Sequence, residues 1–323
     1  MLGPLIVGIK GQTLTYEDKI LLQQPLIGGV ILFARNYNDV AQLRALVAEI
    51  KALRSPELWV SVDHEGGRVQ RFINGFTRLP NLGQLGALYE SDSAAALQQT
   101  NEWGFCMAQE LLAVGVDMSF APVIDLNKNK LSLIGDRSFN RNVDIVTVMA
   151  KAWCEGVHRA GMKTCGKHFP GHGDVTVDSH DGLPVDDRSY AQVAADDLIP
   201  FMRLIKENAL DAIMPAHIVF PQVDDKPAGF SSIWMQDILR QQCQFKGVII
   251  SDDLGMGGAV GMGTYSQRLQ RALNAGCDLV LLCNDHPGIQ ECVEAVTVDA
   301  TFDRSESIIK LRSNQYDKAL VKN

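Results

Sequence analysis

Short apolar segments of strand length recur along the whole chain. They are rich in Val, Ile and Leu and do not alternate with polar residues, which is typical of parallel strands buried on both faces. We predict eight such strands: Leu5–Ile9, Gly29–Phe33, Leu58–Val62, Val116–Val123, Met162–Cys165, Leu210–Met214, Gly247–Ile250 and Leu279–Cys283.

Helical patterns separate these strands. The apolar residues of Asn38–Leu53 fall on one stripe, and Asn38 is placed to cap the first turn. Glycines that end helices, such as Gly161 and Gly276, stand between several of these patterns and the next strand. Further helices are predicted over Ser93–Val114, Val143–Ala160, Ser189–Asn208, Ser231–Gln242 and Tyr265–Ala275. Strands that alternate with helices in this way predict an α/β fold, a closed (β/α)8 TIM barrel.

The domain organisation follows from the absence of a linker or low-complexity segment in the sequence. We predict a single TIM-barrel domain over residues 1–323, with a C-terminal helix over residues 305–321 packed outside the barrel. The N-terminus lacks the basic and apolar regions of a signal peptide, and no apolar run is long enough for a membrane span. The 7 cysteines form no CxxC pair and are typical of core residues in a reducing cytoplasm.

The charge of the chain narrows the class of partner. Against 30 Lys and Arg stand 38 Asp and Glu, a net charge of −8, so the surface disfavours nucleic acid and anionic lipid. We expect a small-molecule substrate, with no nucleic acid and no membrane as partner.

Polar residues cluster where the predicted strands end. Chemistry in such barrels collects at the carboxyl ends of the strands. The residues in question are Asp63, Asp125, Arg137, Lys167, His168, His217, Asp252 and Asp253. Each alone could be a structural ion pair or a helix cap, but their convergence on one rim favours an active site.

The densest stretch is KHFPGHGDVTVDSH, residues 167–180. His168 and His172 have the spacing of a helical zinc pair, but Pro170 and Gly171 between them disfavour a helix, so we expect no metal site. The alternative is a Gly-rich loop that delivers an acid/base. In an extended segment Asp178 and His180 face the same side, so Asp178 can orient the His180 ring.

A second focus is GVIISDDLGM, where an apolar strand runs into Asp252 and Asp253. Successive strand residues point to opposite sides, so we expect one carboxylate to face the barrel axis and the other to cap or pair with the rim. The glycines of residues 255–263 allow a phosphate-binding loop, but no basic residue lies between Asp253 and Arg268, which favours a plain loop.

Four ordered blocks of the chain together resemble family 3 glycoside hydrolases, in particular the bacterial β-N-acetylglucosaminidases of peptidoglycan recycling. The blocks are VDHEGGRVQRF at 62–72, GDRSF at 135–139, KHFPGHGD with DSH at 167–180, and GVIISDDLGM at 247–256. Two positions depart from the commonest family pattern: His64 stands where Gln is usual, and GMGG at 255–258 replaces a run with Ser and Glu.

The resemblance implies retaining hydrolysis of a terminal β-linked N-acetylglucosamine. It assigns Asp252 as the nucleophile and His180 as the general acid/base, with Asp178 as its partner. The implied substrate-binding residues are Asp63, Arg71, Arg137, Lys167 and His168. The implied substrate is a muropeptide or another disaccharide that contains N-acetylglucosamine, the leaving group derives from 1,6-anhydro-N-acetylmuramic acid, and we expect a monomer that needs no cofactor.

Three other hypotheses about function are compatible with the sequence. In substrate-assisted catalysis the acetamido oxygen would replace the nucleophile, and Asp252-Asp253 would be its carboxylate pair. In a catalytically dead barrel that only binds sugar, Asp252 or His180 should be lost, yet both are present. Phosphorolysis instead of hydrolysis is compatible with a His acid/base.

Overall fold

The computed structural model describes residues 1–128, 134–172, 175 and 183–313. Over these residues its main sheet has eight strands, all parallel to their neighbours. They are β1 (Leu5–Gly8), β2 (Ile27–Leu32), β3 (Trp59–Val62), β4 (Met118–Ser119), β5 (Cys165–Phe169), β6 (Ala212–Pro215), β7 (Val248–Asp253) and β8 (Leu279–Leu282). Most of their residues are buried on both faces of the sheet, which is why the sequence does not alternate.

The sheet closes on itself. Neighbouring strands follow the order β4-β3-β2-β1-β8-β7-β6-β5. The segment just after β4 then bonds to β5: the Cys165 N–H donates to the Ala121 carbonyl at 2.9 Å, and the Ile124 N–H donates to the Lys167 carbonyl at 2.8 Å. The predicted (β/α)8 TIM barrel is confirmed.

Helices surround this sheet and connect its strands. They are α1 (Tyr16–Leu22), α2 (Val40–Ala52), α3 (Leu82–Ser91), α4 (Ser93–Ala113), α5 (Val143–Ala160), α6 (Tyr190–Ala194), α7 (Leu198–Lys206), α8 (Tyr265–Ala275), α9 (His286–Ala295) and α10 (Ser305–Leu311), with a π-helix over Ile233–Gln242. Short hairpins pair His64–Gly66 with Val69–Gln70 and Val219–Phe220 with Asp224–Pro227. No helix in the described ranges is both long enough and apolar enough to cross a membrane.

The single helix predicted over Ser189–Asn208 is wrong, because the structure has α6 and α7 with a turn between them. Pro200 lies in the first turn of α7 and has no N–H to donate, so a continuous helix would lose a hydrogen bond at this point. The cap of α2 also differs from the prediction: the side chain of Asp39, and not that of Asn38, accepts the Gln42 N–H.

Strands β5 and β7 extend further than predicted. β5 begins at Cys165, where the predicted strand ends, and includes Lys167 and His168. β7 continues past Ile250 to Asp253. The hydrophobic pattern predicts only the apolar part of each strand. The polar residues also belong to the strands, because buried partners compensate their charges.

The C-terminal helix begins at Ser305 as expected and ends at Leu311, where Arg312 turns to extended backbone. Arg312 donates to the Glu57 carbonyl at 2.5 Å, so the chain is bonded there to the segment before β3. The remainder of the predicted helix, from residue 314 onward, lies outside the described residues.

Gly86 provides a test of how α3 packs against the segment that carries Arg137. A Cβ on Gly86 would overlap the Phe139 carbonyl oxygen, which is backbone and cannot move aside. Gly86→Ala should therefore lower the free energy of unfolding by about 1–3 kcal/mol, more than the gain in helix propensity returns. Denaturant unfolding measures this change.

Gly261→Ala is the matched control, since no atom lies within 4 Å of the Cβ it would add. It should leave the unfolding free energy almost unchanged. Equal effects of the two substitutions would contradict the close approach of α3 to Phe139.

Candidate active site

A cavity of about 390 Å³ opens where the strands end at their carboxyl side. Its wall contains every predicted site residue that the structure describes: Asp63, Arg71, Arg137, Lys167, His168 and Asp252. Asp178 and His180 lie outside the described residues, so their placement stays a prediction. Six residues from four separate segments of the chain thus meet at one rim.

Lys167 links two carboxylates at the centre of this wall. Its Nζ lies 2.7 Å from Asp63 Oδ1 and 2.6 Å from Glu65 Oε1. Arg137 donates from Nε and Nη2 to the two Glu65 oxygens, each at 2.8 Å. Burial alone would raise the pKa of Glu65, but Arg137 and Lys167 outweigh it and hold that pKa well below its ordinary value. The four side chains therefore form a fully charged, rigid wall for a polar ligand.

Asp125 orients the histidine of β5. Its Oδ2 lies 2.7 Å from His168 Nδ1, and its Oδ1 accepts the backbone N–H groups of His168 at 3.0 Å and of His172 at 2.9 Å. Burial alone would raise the pKa of Asp125, yet His168 lowers it, so the carboxylate is ionised. An ionised Asp125 accepts Nδ1–H and so determines both the orientation of the His168 ring and the nitrogen that is protonated.

Asp252 and Asp253 make different contacts, as expected for neighbours in a strand. Asp253 Oδ1 accepts the N–H groups of Gly255 at 2.9 Å and Cys283 at 3.0 Å, which ties it to the rim. Burial raises the pKa of Asp253. Burial would also raise the pKa of Asp252, but His217 and His168 lower it below its ordinary value. Asp252 is therefore the carboxylate better suited to remain ionised at the cavity.

Arg71 is only loosely paired. Its Nη2 lies 3.8 Å from Asp63 Oδ2, its guanidinium carbon lies 5.7 Å from the centre of the Phe33 ring, and its buried Nε has no hydrogen-bond partner among the described residues. A buried N–H without an acceptor costs free energy, so a ligand oxygen bound here would satisfy it.

Glu65 was not predicted as a site residue and His217 was predicted only to follow a strand, although both line the cavity. The spacing of Asp63 and Glu65 could have predicted Glu65, because residues two apart face the same side of an extended segment. For His217, the position after β6 was the one feature of the sequence that indicated a place at the cavity.

His168 and His172 lie close together at the carboxyl end of β5. Their ring centres lie 5.8 Å apart, and Nδ1 of His168 is taken by Asp125. Within the described ranges no group of three or more His, Cys, Asp or Glu side chains is placed to hold a metal ion.

Comparison with known proteins supplies independent findings. The family described as "Glycosyl hydrolase family 3 N terminal domain" matches residues 7–308. A protein of Chromobacterium violaceum named beta-hexosaminidase is 52% identical over 282 residues, which cover 87% of this chain and 79% of that protein.

Solved structures agree with the sequence relatives. The crystal structure of native NagZ from Neisseria gonorrhoeae superposes with a TM-score of 0.91 at 46% identity, and covers 100% of this chain and 94% of that one. NagZ from the same organism in complex with N-trifluoroacetyl-D-glucosamine also has a TM-score of 0.91, at 45% identity and with the same coverage.

His64 beside this wall provides a test of pH dependence. It is buried against the rings of Phe72 and Phe76, and burial lowers its pKa from 6.5 to about 3. Between those values the unfolded chain binds a proton that the folded chain does not, so stability falls as the pH falls, with a slope of about 1.4 kcal/mol per pH unit. His64→Gln should remove this component.

Urea unfolding of both proteins from pH 8 down to pH 4 measures the effect. Above about pH 7 the unfolding free energies of the two proteins should differ by a constant amount. At lower pH the variant should become more stable relative to the wild type. Parallel stability curves over the whole range would show that His64 does not titrate as its burial requires.

Proposed function

The chain belongs to glycoside hydrolase family 3, and we propose that it is a retaining exo-β-N-acetylglucosaminidase that acts through a covalent glycosyl-Asp252 intermediate. The observation that carries the proposal is the cavity wall that Asp252 shares with Asp63, Lys167 and His168. The names of the relatives agree with it, since one is a beta-hexosaminidase and another was solved with an N-acylated glucosamine.

Asp252 would attack the anomeric carbon of the terminal sugar. A nucleophilic carboxylate must be ionised, and the neighbouring His217 and His168 favour its charged form despite burial. Attack with inversion, followed by hydrolysis with a second inversion, retains the configuration of the sugar.

The charged wall would bind the sugar hydroxyls. Asp63 accepts hydrogen bonds and Lys167 donates them. His168, whose Nδ1–H is bonded to Asp125, would bind a sugar hydroxyl through Nε2, and the ion pairs hold these groups in place before the sugar arrives. Arg71 and Arg137 would bind the sugar rim or a carboxylate of the leaving group.

His180 would be the general acid/base, with Asp178 orienting its ring. This assignment rests on the DSH motif, because both residues lie outside the described residues. An imidazolium protonates the leaving oxygen, and the neutral ring then activates water. An ordinary histidine pKa of about 6.5 suits both steps near neutral pH.

The natural substrate in this proposal is a muropeptide of cell-wall recycling. Its terminal β-1,4-linked N-acetylglucosamine would be released from 1,6-anhydro-N-acetylmuramic acid in the cytoplasm, by a monomer without a cofactor. Peptidoglycan turnover of this kind would connect the enzyme to cell shape and division.

The nucleophile can be tested directly. Asp252→Ala should lower turnover by roughly a thousand-fold or more, because the covalent route is lost. A 2-fluoro or 5-fluoro glycoside should label the wild type at Asp252, as mass spectrometry of the labelled peptide would reveal.

Asp237→Ala on the exposed side of the π-helix is the control, since it removes the same group far from the cavity. It should keep full activity. Label on Asp253, or near-normal turnover of Asp252→Ala, would refute the assignment, and substrate-assisted catalysis predicts no protein adduct at all.

The acid/base is tested through the leaving group. Natural alkoxides need protonation and nitrophenolate needs little, so His180→Ala should impair disaccharide cleavage much more than glycosylation by an aryl glycoside. Deglycosylation still needs a base, so the glycosyl-enzyme should accumulate, and azide should restore turnover and yield a β-glycosyl azide.

Asp178→Ala should show the same pattern more weakly if it only orients the ring. Equal losses on natural and aryl substrates, without rescue by azide, would mean that His180 binds sugar and moves no proton.

A further inference from the structure

His217 is a buried histidine of the cavity wall to which the proposed mechanism gives no contact with the sugar and no proton transfer. It follows β6 and is 1% exposed. Its ring stacks on Phe230, with centroids 5.5 Å apart and planes at 18°. The stacking holds the imidazole in one orientation against the end of β7.

One ring nitrogen of His217 bonds to the backbone of the catalytic strand. Nε2 lies 3.0 Å from the Asp253 carbonyl oxygen. A carbonyl can only accept, so Nε2 carries the hydrogen. Nδ1 is buried and has no hydrogen-bond partner among the described residues.

This bond lies where β7 has left its regular ladder. β7 pairs with β6 only at Val248 and Ile249. On the other side its register against β8 shifts between Ile250 and Asp253. On the β8 side the Cys283 N–H donates to the Asp253 carboxylate at 3.0 Å. The Asp253 carbonyl accepts two hydrogen bonds, one from the Met256 N–H at 3.1 Å in the turn that follows and one from His217 Nε2 on the β6 side.

The same imidazole lies near the Asp252 carboxylate. Burial would raise the pKa of Asp252, and His217 is the first of the groups that lower it. Among the described residues, the charged or titratable groups that interact electrostatically with Asp252 include His217, His168, Lys167, His172, Asp253, Cys165 and Cys283.

We propose that His217 is a positioning residue for the nucleophile: its Nε2–H holds the irregular end of β7 at the Asp253 carbonyl, so that Asp252 faces the cavity. The inference rests on the proposed function, in which Asp252 forms the glycosyl-enzyme. His217 acts through Asp252 and transfers no proton in this proposal, because Nε2 is bonded to a carbonyl and Nδ1 is buried without a hydrogen-bond partner among the described residues.

Two substitutions separate the hydrogen bond from the other effects of the imidazole. His217→Phe keeps a ring on Phe230 but removes the N–H donor. His217→Gln keeps an N–H donor near the position of Nε2 but removes the imidazole. We measure the pre-steady-state burst with an aryl N-acetylglucosaminide, the pH profile of kcat/KM, and inhibition by free N-acetylglucosamine.

His217→Phe should slow the burst roughly ten- to hundred-fold, by the same factor for aryl and natural substrates, with little change in inhibition by N-acetylglucosamine. The acid limb of kcat/KM should move to higher pH, because the pKa of Asp252 rises when the imidazole is lost. His217→Gln should recover most of the burst rate while its acid limb stays displaced.

His158→Phe is the matched control. His158 bonds to Asp211 at 2.7 Å, on α5 away from the cavity wall, so its loss should lower stability without moving the acid limb. Thermal unfolding of all variants accompanies the kinetics. If His217→Phe fails to fold, His217→Gln decides: a near-normal burst with a displaced acid limb supports the proposal, and an unmoved acid limb overturns it.

Three results would overturn the proposal. One is a burst rate and an acid limb of kcat/KM in His217→Phe that equal those of the wild type. Another is a loss confined to natural substrates and rescued by azide, which would make His217 the acid/base. The third is an equal shift of the acid limb in His158→Phe. Full activity of Asp252→Ala would instead refute the proposed function, so the two failures are distinguishable.

Discussion

The mouth of the barrel depends on the buried ion pair between Lys167 and Glu65, whose charged atoms lie 2.6 Å apart. An ammonium group is not stable in the interior of a barrel without compensation, and neither is a carboxylate. Lys167 and Glu65 therefore compensate each other's charge. Asp63 forms a second ion pair with Lys167, and Arg137 forms one with Glu65. Buried ion pairs often add little net stability, so their main effect here is to hold the polar atoms of the wall in fixed positions.

The same compensation explains why charged residues lie inside strands. Lys167 and His168 belong to β5, and Asp252 and Asp253 belong to β7, although a strand buried on both faces ordinarily excludes them. His168 is matched by Asp125, and Asp253 by two backbone N–H groups. The active site is therefore continuous with the core of the barrel, and its side chains inherit the rigidity of the strands.

Adjacent carboxylates acquire different chemistry from their surroundings alone. Asp253 Oδ1 accepts two backbone N–H groups of the rim, and the Asp253 carbonyl accepts from His217 and from the Met256 N–H. Asp252 faces the cavity near cationic or titratable side chains. Opposite pKa shifts follow, as in other active sites where the environment assigns distinct roles to chemically identical groups.

The sequence alone determined the eight apolar strands, the glycine stops such as Gly161, and the blocks that carry Asp63, Lys167 and Asp252, because these are signals of local composition and spacing. Only the tertiary structure decided that Glu65 joins the site and that β5 runs on through Lys167, because the partners of these residues are distant in the chain: Lys167 and Asp63 are 104 positions apart. The contact of His217 was likewise decided by the tertiary structure. Its partner lies 36 residues away and is a backbone carbonyl, which no side-chain pattern reveals. Periodicity reports which face of an element is buried, whereas the charge that a buried position tolerates depends on what the closed barrel brings opposite it.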